Sequence, residues 1–230
     1  MRMLDLFCGR FGWGRAFAAR GWEVVGVDLV EPPEIPQGCE FVSADILRLQ
    51  WRDAAGFILG EERNLQKLGW FDFACASSPC EKFSVFGMKN FHPNPAYPEL
   101  GIALFNHTRG ILEASGVPYV MENVRAAQQF VGTAVHHCGP FYLWGNAVPP
   151  LMAQGISKGI NVGSSKVTNH IGLSQEEKRL YRKQFEWNKG WSRSKHKNGM
   201  TAKAATIPPE LANCVADYAE RLIEQRKAVA

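Results

Sequence analysis

The chain has no CxxC spacing: its six cysteines, Cys8, Cys39, Cys75, Cys80, Cys138 and Cys214, fall singly and far apart. Structural zinc sites and disulfide frameworks need closer or more regular pairs, so neither a metal nor a disulfide scaffold is expected. The thiols read as those of a reduced, cytoplasmic protein, most of them small buried apolar residues. No run reaches the roughly 20 apolar residues of a membrane-spanning helix, so no membrane partner is expected. The opening residues, Met1-Arg2-Met3-Leu4-Asp5-Leu6-Phe7, have neither the apolar core nor the small-residue cleavage site of a signal peptide. They read as a core strand instead. Internal repeats and low-complexity segments are absent, and the net charge is only +4 over 230 residues. So small a charge does not identify a nucleic-acid binder; its distribution matters more.

Hydrophobic residues make up 46% and charged residues 21%, an ordinary globular composition. The length suits one α/β domain with a short appendage, and a monomer is expected. Short apolar runs at Met3–Phe7, Glu23–Asp28, Glu40–Val42, Phe71–Ala76 and Tyr119–Glu122 read as strands. Between them Gly14–Arg20, Ile46–Gly60 and Pro98–Ser115 have helical spacing or helix-forming composition. Strands that are apolar throughout and separated by helices indicate a mostly parallel sheet with helices on both faces. Ligands of such sheets bind at the carboxyl ends of the strands. Asp5, Asp28, Asp45, Cys80 and Glu122 all fall at or just beyond those ends.

Three segments are expected: a catalytic core over 1–152, a basic insert over 153–201 and a returning helix within 202–230. From Lys158 to Lys203 eleven Lys and Arg face three Glu, with Tyr181, Phe185, Trp187 and Trp191 interleaved. Cations and aromatics together suit phosphate contact and base stacking, so Lys178, Arg179, Arg182, Lys183, Arg193, Lys195 and Lys197 are candidate nucleic-acid contacts. Pro208–Arg226 places Leu211, Val215, Tyr218, Ala219 and Leu222 on one helical face.

Three motifs carry chemistry. Leu4-Asp5-Leu6-Phe7-Cys8-Gly9-Arg10-Phe11-Gly12-Trp13-Gly14 is a strand running into a glycine-bearing turn and a helix, where backbone can approach a nucleotide closely. Asp28 ends the next strand, where a carboxylate can accept ribose hydroxyls. Asp45 could accept an adenine amino group with Ile46 packed on the ring, although a helix N-cap is the simpler reading of Asp45. In Ala76-Ser77-Ser78-Pro79-Cys80-Glu81-Lys82-Phe83-Ser84, Pro79 stiffens a turn that presents Cys80 at a strand end beside a helix start and Lys82. A thiol so placed suits a nucleophile. Tyr119-Val120-Met121-Glu122-Asn123-Val124-Arg125 sets an acid at the end of the next strand, so adjacent strands would bring Glu122 and Cys80 to one rim.

The ordered set Asp-Leu-Phe-x-Gly, Ala-Asp-Ile, Pro-Cys-x-x-Phe-Ser and Glu-Asn-Val resembles the cytosine-5 DNA methyltransferases, of the compact stand-alone kind found in phages and bacteria. Ile207-Pro208-Pro209-Glu210-Leu211-Ala212 is similar to the family's closing motif. The resemblance implies a Rossmann-like S-adenosylmethionine-dependent methyltransferase fold and DNA as partner. It implies methyl transfer to C5 of cytosine through a covalent Cys80–C6 adduct, with Glu122 as the acid at N3. S-adenosylmethionine would lie across Phe7, Gly9, Asp28, Asp45 and Ile46, with Ser78 and Pro79 near its sulfonium end and Thr206 in the closing motif. Departures are informative. Phe11 stands where glycine is usual, so the turn must take another path or lay an aromatic near the cofactor. Glu81 replaces the usual Gln. The family's Gln-x-Arg-x-Arg element has no counterpart, since Cys138–Asn146 holds no arginine, and Arg125 is the candidate substitute. Ala205, where Asn is usual, leaves room beside Lys203 and Arg10 for a carboxylated cofactor analogue, with plain methyl as the ordinary expectation. The short insert keeps open C5 chemistry on RNA or a free nucleotide. The missing arginine element keeps open a catalytically impaired S-adenosylmethionine- and DNA-binding module.

Overall fold

The computed structural model describes residues 1–60, 66–80, 83–84, 98–150 and 207–229. Its centre is a seven-stranded sheet built from β1 (Arg2–Leu6), β2 (Glu23–Asp28), β3 (Cys39–Ser43), β7 (Phe73–Ser77), β8 (Tyr119–Asn123), β9 (His136–Cys138) and β10 (Phe141–Trp144). The spatial order is β3-β2-β1-β7-β8-β10-β9. The first five are mutually parallel, while β10 runs antiparallel to both β8 and β9. This is the mostly parallel sheet that the apolar runs imply, in the Rossmann-like order that the resemblance implies. Successive strands move outward from β1 to β3, then return to β1's other side at β7. Loops leaving β1 and β7 therefore diverge, opening a crevice at their carboxyl ends.

Alternating side chains feed two apolar layers, as the strand period of two requires. On one face Met3, Val24, Phe73, Cys75, Val120 and Leu143 pack against Phe17 of α1 (Gly14–Ala18) and Leu211, Val215 and Ala219 of the C-terminal helix, α4 (Pro209–Val229). On the other, Leu4, Leu6, Val27, Ala74, Ala76 and Met121 meet Phe105 and Leu112 of α2 (Glu99–Ser115), with short α3 (Gln128–Val131) nearby. Helices thus cover both faces. The expected amphipathic C-terminal helix forms, and Arg20 pins it by bonds to Asn213 and Asp217, with Trp22 Nε1 donating to Glu220. No helix among the described residues is long and apolar enough to cross a membrane.

One sequence expectation fails. Ile46–Gly60 is not a helix: a 3-10 turn at Ile46–Arg48 leads into β4 (Leu49–Arg52) and β5 (Gly56–Leu59), which join β6 (Gln66–Gly69) in a separate antiparallel sheet. Its helix-forming composition lacks an apolar period of 3.6. Leu49-Gln50-Trp51-Arg52 instead alternates buried or half-buried with exposed. Gly56 ends the turn at φ +74, where a Cβ would stand 2.4 Å from the Gly69 carbonyl oxygen. The strands β9 and β10, flanking Gly139-Pro140, are absent from the sequence reading because each is only three or four residues long.

Phe11 packs against Gly26 of β2. It keeps a left-handed backbone, φ 58, and buries its ring completely against β2. The space is supplied by Gly26, whose Cβ would fall 2.3 Å from Phe11 Cε1 and 2.9 Å from Cys8 Sγ. Gly26→Ala is expected to destabilise by about 2–3 kcal/mol, the cost of overpacking a rigid core. That corresponds to a fall of roughly 5–10 °C in Tm for a domain of this size. Thermal melts of Gly26→Ala alone and with Phe11→Ala check it: the second change should recover part of the loss, and strict additivity would disprove the contact.

Candidate functional site

The glycine turn after β1 is a run of left-handed residues, Phe7 at φ 57, Gly9 at φ 50 and Phe11 at φ 58. Asp28, ending β2, holds it: Asp28 Oδ2 accepts from Gly9 N at 3.0 Å and Oδ1 from Leu29 N at 2.7 Å. Gly9 is exposed and the Asp28 carboxyl is half-buried, so both face the crevice rim. Leu29 and Val30, which the sequence reading passed over, are 65% and 74% exposed beside them. Adjacent exposed apolar side chains at a ligand-binding rim suit a flat, poorly solvated ring. The only sequence signal was their position directly after the acid.

Asp45 caps the 3-10 turn, its Oδ1 accepting from Leu47 N at 3.0 Å, which is the simpler of its two readings. Ile46 points inward, fully buried with Leu6, Val27 and Val42. Gly12 abuts the closing segment, for a Cβ there would stand 3.0 Å from Ile207 N. The similarity of Ile207–Ala212 to a closing motif thus corresponds to real proximity with the glycine turn. Thr206, with Lys203 and Ala205, lies outside the described residues, as do Glu81, Lys82 and the whole 153–201 insert. Lys178, Arg179, Arg182, Lys183, Arg193, Lys195 and Lys197 are among them.

The two chemical motifs do meet. In the β7–β8 ladder Ser77 pairs with Glu122, and Cys80 follows three residues after Ser77. Asn123 fixes the intervening turn: its Nδ2 donates to both the carbonyl and the hydroxyl oxygen of Ser78, each at 2.9 Å. Its Oδ1 accepts from Val124 N at 2.8 Å, so the amide side chain is satisfied while fully buried. Cys80 is half-buried, Pro79 exposed, and the Cys80 carbonyl accepts from Ser84 N at 2.8 Å, a helical bond. Arg125 is exposed on the 3-10 turn Arg125–Ala127 directly after this rim. Asn123 belonged to the quoted motif, but its clamping of Ser78 spans 45 residues and left no local trace.

Electrostatics separate the candidates. Glu122 is 8% exposed, and burial pushes its carboxyl up to about 7, partly opposed by a hydrogen bond from Ser77. A substantial share of it is therefore protonated at neutral pH. Asp5 is pushed up to about 7 as well, by burial, against the pull of its bond from Gly14 N at 3.0 Å. Its Oδ1 has no hydrogen-bond partner among the described residues. Burial raises the thiols of Cys8, Cys39, Cys75, Cys138 and Cys214. A raised thiol stays protonated and unreactive. Cys80 is half-buried just past the carboxyl end of β7, on the rim where Glu122 ends the apolar part of the neighbouring β8.

No family model and no curated protein matches this chain. Among solved structures it is similar to the glycopeptide N-methyltransferase MtfA, with 17% identity over 53% of this chain and 45% of that one, at a TM-score of 0.28. The same enzyme complexed with (S)-adenosyl-L-methionine gives 17% identity over 53% and 46%, at 0.26. The chain therefore spans less than half the length of those chains. The strand order above, not this likeness, defines the fold.

Proposed function

We propose that the chain is an S-adenosylmethionine-dependent methyltransferase acting on C5 of cytosine in DNA, with Cys80 as covalent nucleophile. The observation that carries the reading is the ladder pairing of Ser77 with Glu122. It puts a thiol turn and a buried, partly protonated acid on one rim of a topological switch point. Cytosine C5 is a weak nucleophile until a thiolate adds to C6 and the ring's negative charge is accommodated. Cys80 Sγ forms the bond to C6, and Glu122 gives its proton to N3 while accepting from the exocyclic amine. C5 then has the character of an enamine carbon. S-adenosylmethionine, when bound, supplies an electrophilic methyl group. Loss of the C5 proton to a base, departure of the Cys80 thiolate and return of the N3 proton to Glu122 restore the neutral aromatic ring and the acid. In duplex DNA the base must leave the stack to reach such a rim.

The residues present fit that cofactor. An exposed glycine turn allows close backbone approach, the Asp28 carboxylate retains acceptor capacity for ribose hydroxyls, and Leu29 and Val30 offer an apolar cover. Asp5, buried below the turn, holds its path through Gly14. The test is to incubate the chain with S-adenosylmethionine and either duplex DNA or RNA, then weigh the nucleosides. 5-Methylcytosine in DNA is expected. Modification confined to RNA would move the substrate to the alternative class, and no modified nucleoside in either would leave a binding module. A heavier, carboxymethyl adduct formed from the carboxylated cofactor would answer the question Ala205 raises.

A further inference from the structure

One chain of polar groups on this rim, buried at Trp13 and Glu122 and half-buried at Ser77, has its direction fixed by chemistry. Trp13 Nε1 donates to Ser77 Oγ at 2.9 Å. An indole N–H can only donate, so Ser77 accepts there and its single hydrogen is left for another group. The acceptor that its ladder register sets beside it is the carboxyl of Glu122, which Ser77 pulls downward against the rise from burial. Trp13 is wholly buried in the layer between sheet and helices and has no room to turn away. The bonds therefore run one way, from Trp13 through Ser77 to Glu122.

The direction has a consequence for the acid. The Glu122 oxygen that receives the Ser77 hydrogen is an acceptor, so a proton on the carboxyl resides on the other oxygen. Cytosine offers an acceptor at N3 and a donor at its exocyclic amine. A neutral carboxyl meets that edge one way round, hydroxyl to N3 and carbonyl oxygen to the amine. A carbonyl oxygen has two lone pairs and can receive Ser77 and the amine together. We propose that Trp13 and Ser77 are positioning residues that hold the protonated oxygen of Glu122 towards N3 of the target base, an inference that rests on the reaction proposed above.

The test uses the full chain with 13C-labelled glutamate carboxyls, Ser77→Ala, Ser77→Thr and Trp13→Phe, and two readouts. The first is the NMR titration of Glu122, which needs no substrate. Removing a hydrogen bond to the carboxylate disfavours the charged form, so Ser77→Ala should move the midpoint upward by roughly three- to tenfold in acid strength. Trp13→Phe should move it the same way by less, and Ser77→Thr should restore it. The second is the pH profile of single-turnover transfer. Its basic limb, where Glu122 loses its proton, should follow the midpoint upward in Ser77→Ala. The rate below that limb should fall about tenfold with DNA KM unchanged, the pattern of a lost transition-state interaction. An unmoved midpoint or an unmoved basic limb in Ser77→Ala overturns the relay, including the case where Trp13→Phe fails to fold. A midpoint that moves as expected in a parent protein forming no cytosine adduct refutes the proposed reaction instead and leaves the Trp13–Ser77–Glu122 bonds standing.

Discussion

Cys80→Ser should abolish transfer and leave S-adenosylmethionine binding within about twofold. A serine hydroxyl is a far weaker nucleophile than a thiolate at neutral pH. The proposed cofactor side of the crevice is the other strand ends, where Gly9 bonds Asp28, and it does not depend on the sulfur. DNA carrying 5-fluorocytosine sharpens the experiment, because fluorine cannot leave as a proton does and the adduct is trapped. The parent protein should yield a denaturation-resistant complex with that DNA in the presence of the cofactor. The serine variant should yield none. Calorimetry without nucleic acid supplies the control on cofactor affinity. Serine activity above about one-hundredth of the parent's, a loss of only about 2.7 kcal/mol, would remove Cys80 from the mechanism. The five other cysteines are an internal control, since burial holds their thiols in the unreactive form. A peptide map of the trapped complex should place the DNA on Cys80 alone.

The central strands are legible in the sequence because a parallel sheet buried on both faces requires largely apolar runs, and β2, β7 and β8 each hold one while Asp5 interrupts that of β1. Their ends mark the site because chemistry-bearing residues interrupt those runs at Asp28, Cys80 and Glu122. Short edge strands carry too few residues for a period to show. The segment 46–60 misleads because composition favours a helix while the turn at Gly56 and the alternation in β4 dictate a hairpin. The substitution of Phe11 for a glycine is opaque one position at a time. It makes sense only with Gly26, fifteen residues on, which vacates the volume the ring fills. Trp13, Ser77 and Asn123 escape notice for a related reason. Their bonds cross from the glycine turn to β7, and from β8 back to the β7 turn, over 64 and 45 residues. Sequence pattern shows which residues are unusual; only register shows which of them share a proton.

Glu122→Gln should slow transfer by roughly two to four orders of magnitude, the range for loss of a positioned general acid. Glutamine keeps the volume, can still receive the Ser77 hydrogen, and can present an N–H to N3. It should therefore hold the flipped base nearly as well, with DNA affinity changed little, yet it has no proton to give. The same substitution should make the fold more stable, in a pH-dependent way whose sign is determined. Burial raises the Glu122 carboxyl from an ordinary value near 4.5 to about 7 in the folded protein. Between those values the folded state holds a proton that the unfolded chain releases. That stabilisation is fully present below about 4.5 and is lost as pH rises through about 7. Above 7 the parent carries a buried carboxylate, whereas the variant carries a neutral amide at every pH. The two proteins should be close in stability at pH 5 and separate as pH rises, the variant leading by about 3 kcal/mol at pH 8. Asp5 titrates in the same window but is present in both proteins, so it cancels from the difference. Urea denaturation of parent and variant at the two pH values measures the gap directly. A gap that stays constant with pH would mean that Glu122 is ionised at neutral pH in the folded state, and with that its role as the proton donor to N3 would be lost.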